Sequence, residues 1–288
     1  MGDPAEVRDV TEATVPVASE AEWAQHLADR GKRVVQHRGR YWQQSLPGFY
    51  RPVHLMARLS AEEATRPTLA CWGFQARLEG SDAHRADAAI PAHLITDLDS
   101  FDEHALPKGR RNTLRRARER AWMVQLTGPA LLRDQGYDVA VSAHERTGYG
   151  RPPRSREEYL AGLGHFGGPG SIILAGIVDG RLGGYLTGYA VDGTAYAADG
   201  VVATWALRSN ISAGLFYEFV YACRRTGSIT EILDGLHARE NEGLSRSKEL
   251  NGIPLVAVPA RLSLLPGVAA ALRRRQPDKY YRMSGRDT

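Results

Sequence analysis

Residues 171 to 202 constrain the fold more than any other stretch of the chain. Three runs rich in β-branched and aromatic residues, SIILAGIV, RLGGYLTGYAV and TAYAADGVV, are separated by Asp179-Gly180 and Asp192-Gly193. A two-residue hairpin of type I′ needs positive φ at both central positions, and Asp-Gly meets that need at low steric cost. The spacing predicts a three-stranded antiparallel meander with two tight turns.

The flanking text supplies the rest of an α/β pattern. Downstream, SAGLFYEFVYACRRTG (212 to 227) has apolar residues at helical intervals and ends on Gly227, a residue suited to a C-cap. ITEILDGL (229 to 236) reads as a strand, NEGLSRSKELNG (241 to 252) as a helix, and IPLVAVPARL (253 to 262) as a strand. Upstream, a helix is expected from Asn112 to Trp122, a strand over 123 to 127, and helical spacing over 130 to 149. Ser155 with Glu158 forms a capping-box pattern ahead of YLAGL. Before Pro107 prolines and glycines break the text into short strand-like runs, RVVQH (33 to 37) and LACWGF (69 to 74). The expected division is a flexible tail over 1 to 18, an abbreviated N-terminal lobe over 19 to 107, and a larger lobe over 108 to 288.

Composition narrows the class. Hydrophobic residues make up 43% and charged residues 24% of the 288, ordinary values for a globular protein. No run of about eighteen apolar residues is present, so no membrane span is expected. The polar, acidic start MGDPAEVRDV is unlike a secretory signal, and a cytoplasmic location is expected. Cys71 and Cys223 stand in apolar settings, which predicts buried thiols rather than a disulfide or metal site. The chain has no Walker-type phosphate loop, His-Glu-x-x-His pair or Gly-x-Ser-x-Gly elbow, which argues against NTPase, zinc hydrolase and serine hydrolase readings and predicts no metal.

Net charge is only +4, but it is unevenly spread. KGRRNTLRRARER (108 to 120) holds seven cations, Lys108, Arg110, Arg111, Arg115, Arg116, Arg118 and Arg120, against the single acid Glu119. Such a cluster suits phosphates, and Arg111, Arg115 and Arg118 share one helical face. The alternative is a solvated face paired with acids elsewhere.

From 113 to 262 the order of elements resembles the GNAT acyltransferase fold. Ordinary GNAT enzymes hold acyl-CoA pyrophosphate with a glycine-bearing turn at the start of the helix after the meander. This chain has RSNISAG (208 to 214) there, where Arg208 fits but the glycine pattern is missing. A closer resemblance is to the Fem-type branch, the aminoacyl-tRNA-dependent transferases, in which a glycine-leucine pair after the late strand leads into a lysine and a glycine-bearing turn. GLSRSKELNG (243 to 252), preceded by LDGLHAREN, corresponds, with Ser247 where the family has an aromatic residue. The resemblance implies that Lys248 sits near the ester of a charged tRNA. The chain has room for one complete lobe and a shortened one, which resembles compact antibiotic-pathway enzymes of the pacidamycin type that transfer alanine from tRNA. It implies a small acceptor: a peptide, a peptidyl nucleoside or a cell-wall precursor, free or on a carrier protein.

Aminolysis of an ester requires a held carbonyl, stabilisation of the tetrahedral oxyanion and removal of a proton from the amine. Lys248 is the candidate for the oxyanion, against the alternative of a solvated helix lysine. Asp199, Asp234 and His237 are candidate bases, against turn-forming aspartates and a surface histidine. Trp42 and Tyr50, from the aromatic stretch 40 to 54, and Arg208 are candidate acceptor contacts; the alternative for the aromatics is the core of a small lobe. The RNA candidates are Lys108, Arg110, Arg111, Arg115, Arg116 and Arg118. Charged tRNA is then a co-substrate and no cofactor is expected. Two other readings stay open, an acyl-CoA-dependent N-acetyltransferase, with CoA bound, and a non-catalytic RNA-binding module.

Overall fold

The computed structural model describes residues 6–148, 155–163 and 166–286. The elements run β1 (Val7–Asp9), α1 (Glu20–Asp29), β2 (Val34–His37), β3 (Arg40–Leu46), β4 (Phe49–Pro52), β5 (Gly73–Arg77), β6 (Ala88–Ile95), α2 (Lys108–Arg120) and β7 (Trp122–Leu126). They continue with α3 (Tyr137–Thr147), α4 (Arg156–Gly162), β8 (Ser171–Val178), β9 (Arg181–Val191), β10 (Thr194–Val202), α5 (Ile211–Thr226), β11 (Glu231–Leu236), α6 (Glu242–Leu250), β12 (Leu255–Leu264), α7 (Val268–Arg275) and α8 (Pro277–Ser284). Two compact units result, one of residues 1–17 and 96–232, the other of 18–95 and 233–288.

The first unit contains the expected meander. β8 pairs antiparallel with β9, and β9 with β10. Both Asp-Gly turns have positive φ throughout, 50° and 75° at Asp179-Gly180 and 46° and 80° at Asp192-Gly193. Tyr189 and Tyr196 are directly opposed and stack at 4.6 Å, an aromatic cross-strand pair that favours this register. β7 and β1 extend the sheet antiparallel on the β8 side. α5 covers the meander, burying Ile211, Leu215, Phe216, Phe219 and Val220, and ends on Gly227 at φ 76°. The approach is close because the strand face below is stripped of side chains: a Cβ on Gly176 would overlap Ile211, and one on Gly188 would overlap the Phe219 ring.

Where a flexible tail was expected over 1 to 18, the described residues from Glu6 onward are built into this unit. β1 pairs with β7, Ala13 and Val15 are buried, and the Arg225 guanidinium donates to the carbonyls of Val10 and Ala13 at 2.7 and 2.8 Å. These partners are too distant in sequence to leave any local period. Residues 1–5 lie outside the described residues, as does Tyr149 at the end of the helical stretch expected over 130 to 149; within that stretch Leu132–Gly136 is a π-helical turn leading into α3.

The second unit has the order β6-β12-β5-β4-β3-β2, with β4 and β5 parallel and the other pairs antiparallel, so its sheet is mixed. The division expected at residue 107 is replaced by an interleaved one. β12, from the end of the chain, inserts between β5 and β6 from its beginning, and carries α6, α7 and α8 with it. The run LACWGF becomes strand only from Gly73; Leu69 is fully exposed, and Cys71 is a buried free thiol, as is Cys223 in the other unit. Among the described residues no helix is long and apolar enough to cross a membrane.

Gly188→Ala places a methyl group against Phe219 and the Tyr196 carbonyl, and should cost about 1–3 kcal/mol of stability through overpacking. Urea unfolding would measure it. A variant as stable as wild type would show that α5 is not seated on β9 as described.

Candidate functional site

Three of the sequence candidates meet in the second unit. β11 ends in Asp234, Gly235 and Leu236, and His237 follows. Gly235 has φ 83°, a conformation that L side chains resist, and a Cβ there would lie 3.4 Å from Lys248 Nζ. This bend turns the strand end toward α6. Asn241 caps α6, its Oδ1 accepting from the Leu244 N–H at 3.1 Å, and so sets where the helix begins and which face carries Lys248.

The Lys248 ammonium donates to the main-chain carbonyl of Asp234 and lies 3.5 Å from Asp234 Oδ2. Its side chain is 16% exposed and that of Asp234 23%, so this is a largely enclosed pair rather than a solvated helix lysine. Burial raises the Asp234 carboxyl above its ordinary value, and the charge of and hydrogen bond from Lys248 oppose the rise.

His237 donates its main-chain N–H to the Pro91 carbonyl at 2.9 Å, and its Nδ1 lies 2.8 Å from the Tyr281 hydroxyl. Its ring meets that of His93 edge-on at 5.7 Å. His93 is 1% exposed on β6, with Nε2 3.3 Å from Ser245 Oγ and Nδ1 3.4 Å from the Ile253 carbonyl. Burial pushes the His93 imidazole below its ordinary value; the hydrogen bond with the Ile253 carbonyl opposes the fall, and the charges of Lys248 and His237 add to it. Arg239 lies over the Tyr281 ring at 4.9 Å and pairs with Asp278 at 2.8 Å, which fixes the face of α8 that bears Tyr281.

Sequence reasoning missed His93, Ser245, Arg239 and Tyr281. A lone histidine in the apolar run AAIPAHLI was the available signal for His93. Tyr281 stands in KYYR, where nothing separates a packed tyrosine from a functional one.

The other candidates lie elsewhere. Asp199 is exposed on β10 of the first unit, paired with Thr187 beside a bulge, rather than in a turn. Arg208 is exposed in the same unit, and its carbonyl accepts from Arg120 at 2.9 Å. After it Asn210, at φ 60°, and the fully buried Ile211 open α5, so the glycine-bearing turn of an acyl-CoA site is absent from these residues. Trp42 and Tyr50 correct the acceptor assignment. At 0% and 1% exposure they form a core cluster with Leu59, Phe74 and Leu78, and neither ring has a free face.

On α2 two acids and one main-chain carbonyl take the predicted stripe. Arg118 pairs with Glu103 through two bonds of 2.8 and 3.0 Å, Arg115 with Glu119 at 2.5 Å, and Arg111 donates to the His104 carbonyl at 2.7 Å. Lys108, Arg110 and Arg116 have no carboxylate partner among the described residues.

No known family pattern matches the sequence, and no curated protein matches it significantly. Solved structures do. The C-terminal domain (DUF2156) of a putative lysylphosphatidylglycerol synthetase from Agrobacterium fabrum is similar at TM-score 0.58 and 15% identity, with 93% of this chain and 98% of that one covered. FemX is similar at TM-score 0.60 and 11% identity, covering 92% and 96%. L-PGS from Bacillus licheniformis is similar at TM-score 0.55 and 14% identity, covering 96% and 99%. The likeness extends over nearly the full length of each and defines a GNAT-like α/β fold, with antiparallel meander and mixed sheet as expected.

Because burial raises Asp234 and Lys248 opposes it, Lys248→Met should move the Asp234 titration to higher pH. A carboxyl raised on folding adds stability below its unfolded pKa, about 3.9, and loses it as pH rises through the folded value. The destabilisation caused by Lys248→Met should therefore grow with pH across that window and then level off. Urea unfolding at a series of pH values would show it; in an Asp234→Asn background the growth should vanish, and persistence there would place its origin elsewhere.

Proposed function

We propose that the protein transfers an aminoacyl group, alanine or a similar one, from charged tRNA to the amine of a small acceptor. The acceptor class is a peptide, peptidyl nucleoside or cell-wall-precursor-like amine, free or on a carrier protein. The observation that carries this reading is the enclosed Lys248 ammonium, held by Asp234 beside the His93–His237 pair, at the position corresponding to the Fem-type lysine. A fold shared with FemX supports it.

In the proposed reaction the acceptor nitrogen attacks the ester carbonyl carbon and a C–N bond forms. The carbonyl oxygen becomes an oxyanion, toward which the Lys248 ammonium turns. His237 takes the proton lost by the amine, with Tyr281 on its other side. The intermediate collapses by breaking the C–O bond to the tRNA ribose, whose hydroxyl regains a proton. Asp234 orients Lys248 rather than acting as the base. Lys108, Arg110 and Arg116 are the cations free to meet tRNA phosphates.

Single-turnover assays with radiolabelled charged tRNAs and a pool of small peptide amines test the chemistry. Lys248→Met should slow the chemical step by about a hundredfold while tRNA affinity stays nearly constant. A variant with wild-type rate and affinity would overturn the role of Lys248, and absence of transfer by wild-type protein that binds tRNA would favour a non-catalytic RNA-binding module.

Replacing Lys108, Arg110 and Arg116 together with Gln should weaken tRNA binding and reduce the slope of log K against log salt by about 2, at roughly 0.7–0.9 for each phosphate that is no longer neutralised. An unchanged slope would remove α2 from the interface.

A further inference from the structure

The second unit holds a cavity of about 210 Å³ that the proposed reaction does not use. Arg51, Lys279 and Arg282 line it together with Phe49, Leu236 and Met283, and no carboxylate does. Arg51 and Phe49 are alternate residues of β4 and face the same side, the guanidinium carbon lying 5.7 Å from the Phe49 ring centre. Lys279, Arg282 and Met283 are spaced i, i+3 and i+4 on α8, so one helical face supplies them. The Gln75 side chain holds that face in place by donating to the Met283 carbonyl at 2.7 Å.

Arg51 sets this cavity apart. Its Nε is fully enclosed and has no hydrogen-bond partner, and among the described residues no acid pairs with its guanidinium. Burial alone pulls its pKa down to about 10, so it is still a cation at pH 7. An unpaired guanidinium whose Nε is shut off from water is costly, and contact with one aromatic ring leaves that N–H unmet. Arg282 shares its charge with Glu240, which lies outside the lining. Lys279 is partly buried and has no acid partner among the described residues.

We infer that this cavity is a binding site for a phosphate monoester carrying a compact apolar substituent, the phosphate meeting Arg51 and Lys279 and the apolar body resting on Phe49, Leu236 and Met283. Two unneutralised cations and a third shared one match a dianion better than a carboxylate. A planar guanidinium fork offers paired donors to phosphate oxygens. The volume is below the roughly 300–1,000 Å³ of sites for drug-sized ligands, which limits the occupant to a small one. Neither tRNA nor acyl transfer is needed for such a ligand to bind here.

The test is direct titration of the full-length protein, by calorimetry and by thermal shift, with phenyl phosphate, inorganic phosphate and benzoate. Phenyl phosphate should bind saturably and most tightly: inorganic phosphate lacks the apolar body, and benzoate has a single charge. Arg51→Met should weaken phenyl phosphate binding by about tenfold or more. Without ligand it should unfold at the same temperature as wild type or higher, because it removes an unpaired, half-buried charge; a purely structural arginine predicts the opposite. Lys279→Gln, at a less buried position, gives a second variant that should also lose affinity. Absence of saturable phenyl phosphate binding by wild type, equal binding of all three probes, or binding unchanged in both variants would overturn the inference.

Discussion

The close seating of α5 on the meander is the contact from which the first unit is organised. A helix whose buried face includes Ile211, Leu215, Phe219 and Val220 can approach a sheet only if the strands beneath withhold side chains where its large residues fall. Gly176 and Gly188 do so, and the two Asp-Gly turns keep them in register by fixing where β8, β9 and β10 start and stop. A slip of one residue at either turn would carry each glycine to the opposite face of the sheet. Turn chemistry and helix packing are thus one constraint, and the N-terminal segment, bound to Arg225 and Thr226 at the end of α5, depends on it.

In the second unit the organising element is β12. It is the last strand of the chain, yet it lies between β5 and β6, so the sheet closes only when residues from both ends of the sequence meet. Lys248 on α6 precedes it and Tyr281 on α8 follows it. His93 stands on β6 opposite Leu255, and Gln75 on β5 opposite Leu262. One strand's register therefore positions both the Lys248 cluster and the helix face that lines the Arg51 cavity.

Local signals were legible and long-range ones were not. The meander, the extent of α5, the capping box at Ser155 and the strand ending at Leu236 follow from turn chemistry and periodicity, which act over a few residues. The interleaving of the two units left no such trace. Nor did the fate of charges: the spacing of Arg111, Arg115 and Arg118 correctly implied a shared face, but not that Glu103, fifteen residues before Arg118, would fold back onto it. The aromatic stretch 40 to 54 was ambiguous for a related reason. Alternation along β3 and β4 sends Trp42 and Tyr50 into the core and Phe49 and Arg51 to the other face, and the composition of the stretch is the same either way. Lys248, Asp234 and His237 were recoverable as a group because they fall within fifteen residues around one strand end.

The cations of this chain fall into three physical classes, and the class bears on what each can do. Lys108, Arg110 and Arg116 on α2 stand where solvent and salt screen them, so they can steer a polyanion but discriminate little between ligands. Lys248 is enclosed and compensated. Asp234 offsets the cost of its burial, and a carbonyl directs one of its three protons, leaving others for a charge that forms during a reaction. Such a cation costs little in the ground state and needs little rearrangement to meet a developing oxyanion, which is the arrangement that favours a transition state over a bound substrate. Arg51 is half-buried, its Nε enclosed, and it is uncompensated. A charge in that state favours any ligand able to complete it before chemistry begins, so it suits binding of a resident anion better than stabilisation of a transient one. The same residue types are thus suited to different tasks, steering, reaction or binding, according to burial and partner, neither of which is written in the net charge of +4.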